Sequence, residues 1–179
     1  MRVAVYCSAK DSIPSEYLAL GDALGTWIGQ AGHTLVYGGA TGGLMTRVSN
    51  AAKAAGASVE GVIPPRIIQA KRKAENCDVL HMVDNMSQRK QMMRDISDCF
   101  VCLPGSYGTM DEMMDVVASG TVAEHKKPIF ILNYQGFYEG LKQQVAHMRE
   151  LGFLPKIEQY SPLFVDTIDE LLEYLNNLK

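Results

Sequence analysis

Short apolar runs alternate with stretches of helical periodicity along all 179 residues of the chain. Runs such as 99–103 (Cys-Phe-Val-Cys-Leu) and 128–132 (Pro-Ile-Phe-Ile-Leu) are continuously apolar, which is typical of parallel strands buried on both faces. The alternation predicts strands at 2–7, 33–37, 58–63, 77–83, 98–103, 128–132 and 163–165, and helices at 15–31, 43–55, 86–97, 107–123, 136–151 and 167–178.

Strands separated by helices favour βαβ units. The predicted fold is therefore α/β: a Rossmann-like, doubly wound, mostly parallel sheet of about seven strands with helices on both faces. The length indicates one domain over residues 1–179. In such folds ligands bind beyond the carboxyl ends of the strands, so the segments after each strand hold the candidate site.

Composition excludes several classes of protein. The chain is 47% apolar and 21% charged, which suits a buried core, and its net charge of −3 argues against a general nucleic-acid binder. No apolar stretch approaches the ~20 residues that a membrane span needs, and no signal peptide is apparent, so we predict a cytoplasmic protein.

In a cytoplasmic protein, the four cysteines of this chain are expected to be free thiols. Cys99 and Cys102 are expected on opposite faces of one strand, which prevents them from sharing a metal. The basic cluster 71–73 is interpreted as a solvated loop.

A glycine-rich turn, residues 38–45 (Gly-Gly-Ala-Thr-Gly-Gly-Leu-Met), follows the second strand. Glycines let the backbone approach a ligand, and the helix that follows could offer its N–H groups to an anion. Leu44 stands where a Walker A loop needs lysine, and no acidic residue ends the strand to hold the ribose of NAD. The alternative interpretation is a tight turn that packs the helix closely on the sheet.

The most informative segment, residues 104–112 (Pro-Gly-Ser-Tyr-Gly-Thr-Met-Asp-Glu), follows the fifth strand. Two glycines leave the turn without bulky side chains. The hydroxyls of Ser106 and Thr109 are expected beside exposed N–H groups, as in a phosphate site at a helix N-terminus. Glu112 follows Thr109 by three residues, or ~4.5 Å along a helix, which favours contact with a sugar attached to that phosphate. The alternative role for the acidic residues here is to complement the helix dipole.

Arg89 and Lys90 open the helix after the fourth strand. Cations at a helix N-terminus oppose its dipole, which indicates that they serve another purpose, and a guanidinium suits bidentate contact with a phosphate or carboxylate.

These motifs resemble those of the LOG ("Lonely Guy") family of cytokinin riboside 5′-monophosphate phosphoribohydrolases. The family patterns Y-G-G-G-x-x-G-L-M, M-x-x-R-K and P-G-G-x-G-T-x-x-E correspond to 37–45, 86–90 and 104–112, and the resemblance covers almost the whole chain. Departures are Ala40 and Ser106 in place of glycines, Cys-Ser-Ala-Lys at 7–10 in place of C-G-S-S, and Ala-Ser at 118–119 in place of Thr-Trp. The last departure bears on which base is accepted.

The resemblance implies hydrolysis of the N-glycosidic bond of (N6-substituted) adenosine 5′-monophosphates to free base and ribose 5-phosphate. It implies Arg89 and Glu112 as catalytic residues, no cofactor or metal, and a homodimer whose shared face lies near the methionine-rich helices. The expected substrate-binding residues are Ser8, Met86, Lys90, Gly105, Ser106, Tyr107, Gly108 and Thr109. The alternative is a non-catalytic nucleotide or molybdenum-cofactor carrier of the same fold.

Overall fold

The seven predicted strands form one parallel sheet in a computed structural model that describes residues 1–70, 72–155 and 159–178. The strands are β1 Arg2–Tyr6, β2 Thr34–Tyr37, β3 Ser58–Ile63, β4 Val79–Met82, β5 Cys99–Cys102, β6 Ile129–Leu132 and β7 Leu163–Val165. Their order across the sheet is β4-β3-β2-β1-β5-β6-β7, with every neighbouring pair parallel. The prediction of a Rossmann-like parallel sheet is confirmed.

Helices connect the strands. They are α1 Ser15–Gln30, α2 Gly43–Ala54, α3 Pro65–Gln69, α4 Met86–Ile96, α5 Tyr107–Thr121, α6 Glu139–Glu150 and α7 Ile168–Asn176. The predicted helices do not include α3, although Pro65 suits the first position of a helix. Helix α6 begins later than predicted, because a 3₁₀ turn at Tyr134–Gly136, where Gly136 has a φ of +74°, precedes it. Among the described residues, no helix is both long and apolar enough to span a membrane.

Each face of the sheet carries its own apolar core. Val3, Leu35 and Val59 face α1, α2 and α7, whereas Ala4 and Val36 point to the opposite face with α4 and α5. Cys99 belongs to the first core and Cys102 to the second, which confirms that they point to opposite faces, and all four cysteines are free.

The direction of the chain reverses between β1 and β5. From β1 the chain proceeds outward through β2, β3 and β4, then returns to place β5 on the other side of β1. Such a switch point leaves a crevice at the carboxyl ends of the strands. The loops on its two sides are tied together, because the Ser8 N–H donates to the Pro104 carbonyl at 3.1 Å.

Candidate active site

A cavity of about 290 Å³ opens at this switch point. Seven of the ten predicted site residues line it, namely Ser8, Met86, Arg89, Ser106, Gly108, Thr109 and Glu112. Gly105 lines a neighbouring apolar cavity of about 410 Å³ on the other side of the same loop, which also contacts Tyr17 and Phe137. Residues from the segments that follow β1, β4 and β5 therefore meet at one edge of the sheet.

Arg89 and Glu112 form a buried ion pair in this cavity. Arg89 is 2% exposed and Glu112 3% exposed, and Arg89 Nη1 donates to Glu112 Oε1. Arg89 Nε donates to the Val62 carbonyl at 2.9 Å, so the guanidinium is anchored to the end of β3. Burying an ion pair costs desolvation energy, so the pair is weak evidence for a role in the stability of the fold. A functional role for these two side chains is therefore favoured.

Burial shapes the electrostatics of Glu112. Removal from water raises the pKa of the Glu112 carboxyl above its ordinary value of 4.5, and the adjacent Arg89 guanidinium opposes part of that rise. The Cys7 thiol also lines the cavity, and burial raises its pKa far above the ordinary 9.0. Cys7 is therefore a protonated thiol at neutral pH and a poor nucleophile.

The N-terminus of α5 begins at the turn for which the sequence predicts a phosphate site. Ser106 occupies the cap position, no side chain caps the helix, and Thr109 is buried beside the first turn. A Cβ at Gly105 would collide with the Thr109 side chain, so glycine is required for this packing. Ser106 has a φ of −102°, which every residue can adopt, so its replacement of the family glycine introduces no backbone strain.

The glycine-rich turn after β2 has a different role from the anion site predicted. The Gly43 N–H donates to Asp11 Oδ1 at 2.8 Å, the Gly42 N–H donates to Thr46 Oγ1 at 2.7 Å, and the Met45 N–H donates to the Ser8 carbonyl at 3.2 Å. Side chains and backbone of the protein thus satisfy the α2 N-terminus. The alternative interpretation, a tight turn that packs α2 on the sheet, is the one the structure supports.

Comparison with known proteins agrees with this geometry. A family model described as possible lysine decarboxylase matches residues 45–175. The chain is 36% identical over 171 residues to the cytokinin riboside 5′-monophosphate phosphoribohydrolase of Mycobacterium marinum, covering 96% of this chain and 91% of that one. It is also 36% identical to the phosphoribohydrolase LOG of Oryza sativa, covering 96% of this chain and 71% of that one. The chain belongs to the LOG family.

The fold extends beyond close relatives. The molybdenum cofactor binding protein of the phototrophic bacterium Rippkaea orientalis superposes with a TM-score of 0.74 at 18% identity, over 98% of this chain and 94% of that one. A likeness at this identity shows a shared fold.

Two residues expected to bind substrate in this LOG-family chain, Lys90 and Tyr107, line neither of these two cavities. Lys90 Nζ instead pairs with Asp111 Oδ1 at 2.7 Å and lies 3.6 Å from Asp115 Oδ1, which connects α4 to α5. Arg94 pairs with the same Asp115 one turn further along α4. Tyr107 is 91% exposed and points to the outside of α5. Lys90 therefore contributes to the packing of the two helices that carry Arg89 and Glu112.

Sequence reasoning missed the cavity wall that follows β3. Arg66 and Ile67 of α3, together with Ala70 and Arg72, line the cavity. Arg72 was expected in a solvated loop, yet its Nη2 donates to the carbonyls of Ala9 at 2.8 Å and Thr41 at 2.9 Å. Lys71 lies outside the described residues. The sequence signal for this wall is the presence of basic residues, Arg66 and Arg72, in the segment that connects β3 to β4 and leaves the sheet at the edge where ligands bind.

The departure at 118–119 from the LOG pattern lies away from the cavity. Ser119 is buried, and its hydroxyl donates to the Asp115 carbonyl at 2.7 Å and lies 3.2 Å from His125 Nε2. His125 in turn contacts Phe100 and Tyr160 through its ring. Neither Ala118 nor Ser119 is among the described residues that line the cavity. Within the chain, this departure therefore affects the packing of α5 and does not reach the cavity directly.

Among the described residues, no group of three or more His, Cys, Asp or Glu side chains is arranged to hold a metal ion.

Proposed function

We propose that this chain hydrolyses the N-glycosidic bond of adenosine 5′-monophosphates, including N6-substituted ones, to free base and ribose 5-phosphate. The buried Arg89–Glu112 pair carries the proposal, because it lies in the same cavity as an uncapped helix N-terminus suited to phosphate. The names of the LOG-family relatives, cytokinin riboside 5′-monophosphate phosphoribohydrolases, support the same reaction.

The phosphate binds at the first turn of α5. The N–H groups of this turn point toward the ligand, and the helix dipole favours its negative charge. The hydroxyls of Ser106 and Thr109 add donors at the same place. Glu112 lies one helical turn further on, ~4.5 Å along the axis from Thr109, at the level of the attached ribose.

Cleavage of the N-glycosidic bond places positive charge on the ribose. As the bond between C1′ and the base nitrogen breaks, its electron pair goes to the base. The water oxygen bonds to C1′, and the proton that the water releases neutralises the departing base. The Glu112 carboxylate stabilises the oxocarbenium-like centre or positions the water, as carboxylates do in other glycosidic hydrolyses. Arg89 orients Glu112 and donates toward the ribose hydroxyls.

The alternative function is a carrier that binds nucleotide or molybdenum cofactor without chemistry. Fold alone links this chain to the carrier-type structure. A carrier needs the phosphate site but gains nothing from a desolvated carboxylate under the sugar, and ionising such a group in a buried position is costly. The pair therefore favours the enzyme.

A nucleotide panel tests the proposal. AMP, N6-isopentenyl-AMP and adenosine are incubated with the protein, and free base and ribose 5-phosphate are quantified, with Glu112→Gln as the inactive control. We expect both monophosphates to be cleaved and adenosine to be spared, because the α5 turn supplies much of the binding. Adenosine cleaved as efficiently as AMP would contradict the phosphate role. AMP bound by calorimetry but never cleaved would establish the carrier instead.

The proposed partner is a second copy of the chain. The proposed compartment is the cytoplasm, and the free cysteines support that compartment. Tyr107, Met110 and Met114 form an exposed apolar stripe along α5, at the spacing of one helix face. Light scattering at micromolar concentration is expected to give a dimer, and Met114→Glu is expected to shift it toward monomer. An active monomeric wild type would contradict the dimer.

A further inference from the structure

The segment between β6 and α6 contacts the loop that carries the proposed phosphate site. It begins at Asn133, passes through the 3₁₀ turn and ends at Tyr138, directly before α6. Tyr138 is 4% exposed, and its hydroxyl donates to the Leu103 carbonyl at 3.0 Å, across 35 positions of sequence. Leu103 follows β5 and precedes Pro104, so this hydrogen bond is made at the base of the loop that leads into α5.

The backbone of this segment is strained at the turn before Tyr138. Gln135 has a φ of +52° and Gly136 a φ of +74°, so two consecutive residues occupy the left-handed region, which is unfavourable for glutamine. The Asn133 side chain is 3% exposed and stabilises the turn, because it accepts from the Tyr138 N–H at 2.8 Å. Strain of this kind persists only where surrounding contacts hold it, and here it fixes the position of the Tyr138 side chain.

The Tyr138 hydroxyl faces two polar groups of the loop. It donates to the Leu103 carbonyl, and the Gly105 N–H points toward the same hydroxyl oxygen. Burial raises the pKa of this hydroxyl above its ordinary value of 10.0, and the Gly105 N–H opposes part of that rise. The group is therefore a neutral phenol at physiological pH, which can donate to one neighbour and accept from the other.

The other polar groups of the loop backbone are also held by the protein. The Leu103 N–H donates to a carbonyl of β1 at 3.0 Å, and the Pro104 carbonyl accepts from the Ser8 N–H. Within α5, the Met110 N–H donates to the Ser106 carbonyl at 3.0 Å, and the three residues before Met110 are too near the start of the helix to find such an acceptor. The loop is thus fixed on its β5 side and leaves the first N–H groups of α5 available to an anion.

We propose that Tyr138 is a positioning residue that holds the α5 turn in the conformation that binds the 5′-phosphate. This inference rests on the proposed binding of phosphate at that turn. Tyr138 lines neither of the two cavities at the switch point, so it acts through Leu103 and Gly105. Without the hydroxyl, the loop becomes ordered only when the phosphate binds, and the cost of that ordering weakens binding.

The test compares the affinities of the two proposed products, ribose 5-phosphate and adenine, in the wild type and in Tyr138→Phe. Phenylalanine keeps the ring, which packs edge-on against Phe137, and removes only the hydroxyl. We expect the Kd of ribose 5-phosphate, measured by calorimetry, to rise about fivefold, as the loss of one hydrogen bond allows. The Kd of adenine is expected to stay unchanged, because adenine carries no phosphate. With AMP as substrate, KM is expected to rise by a similar factor while kcat stays within about twofold of the wild type.

Tyr160→Phe is the matched control. The Tyr160 hydroxyl also donates to a backbone carbonyl, that of Lys127 at 2.8 Å, and Tyr160 lines neither cavity. Each variant therefore loses one hydrogen bond between a phenol and a carbonyl, and denaturant unfolding is expected to show comparable losses of stability. Only Tyr138→Phe is expected to bind ribose 5-phosphate more weakly.

The failures are distinguishable. An unchanged Kd for ribose 5-phosphate in Tyr138→Phe overturns the positioning role and leaves the proposed hydrolysis intact. Equal weakening of ribose 5-phosphate in Tyr160→Phe, or of adenine in Tyr138→Phe, also overturns it, because the effect is then a general loss of stability. A wild type that binds neither ribose 5-phosphate nor AMP overturns the phosphate site and this inference together. If the wild type binds AMP without cleaving it, the hydrolysis is overturned, and weaker binding of ribose 5-phosphate to Tyr138→Phe still supports the role of Tyr138.

Discussion

Gly38 at the end of β2 leaves the space that the Arg89 guanidinium occupies. A Cβ at Gly38 would lie closer to Arg89 Nη2 than real carbon contacts allow, and the Met45 side chain closes the same space at 3.2 Å. Arg89 is fixed on its other sides by the Val62 carbonyl and Glu112. The orientation of the Arg89 guanidinium therefore depends on the absence of a side chain at Gly38, in a turn far from Arg89 in sequence.

Gly38→Ala is expected to displace Arg89 and to lower kcat by more than about tenfold, ~1.4 kcal/mol of barrier. Steady-state kinetics with AMP measures the loss. Gly140→Ala in α6 is the control, because an added Cβ there meets nothing within 4 Å, and it is expected to keep full activity. Equal kinetics for the two variants would show that the position of Arg89 tolerates a methyl group at Gly38.

Arg89→Lys is expected to remain severely impaired at saturating nucleotide. Lysine keeps the charge but cannot donate to Glu112 and the Val62 carbonyl from one rigid plane. Calorimetry is expected to detect nucleotide binding in this variant, which separates loss of chemistry from loss of affinity. Near-normal turnover would show that only the positive charge of Arg89 matters and that its planar donor geometry does not.

The acidic limb of the pH–rate profile is expected to lie above pH 4.5. The proposed mechanism needs the Glu112 carboxylate, and burial raises its pKa, so kcat/KM is expected to fall as pH is lowered through this raised value. Kinetics in overlapping buffers measures the limb, with circular dichroism at each pH as the control for folding. A limb below pH 4.5 would indicate that another group governs the rate.

Glu112→Gln complements that profile. It removes the charge with little change in volume, and we expect it to retain less than about a tenth of the wild-type rate, ~1.4 kcal/mol of barrier. Its residual activity is expected to lose the acidic limb. A rate above that threshold would remove Glu112 from the mechanism.

Glu60→Gln is expected to destabilise the fold without a direct effect on the site. Glu60 is buried on β3 and accepts from Arg2, and His81 Nε2 lies 2.9 Å from the same carboxylate. Hydrogen bonds to a charged group contribute about 1.5–3 kcal/mol, which denaturant unfolding can measure. Glu124→Gln removes one exposed partner of Arg94, at 3.5 Å, and is expected to cost under about 1 kcal/mol. Equal losses would show that burial does not strengthen the Glu60 contacts.

The sequence by itself determined the secondary-structure elements and which residues of the α5 turn are candidates for the site. Apolar runs and helix signals are local, so the seven strands and six of the seven helices were predictable, with bounds shifted where turns such as Tyr134–Gly136 intervene. Arg89, Glu112, Ser106 and Thr109 could be named because their motifs are contiguous along the chain.

Only the tertiary structure decided which of these groups meet. The Asp11 carboxylate accepts a hydrogen bond from the Gly43 N–H at the start of α2, although the two residues are 32 positions apart in the sequence. Lys90 pairs with Asp111, which is 21 positions away. Arg72 reaches the Ala9 carbonyl across 63 positions and so joins the cavity wall with Arg66. No local pattern encodes these contacts, because they follow from strand order and from the packing of segments that are neighbours only in space.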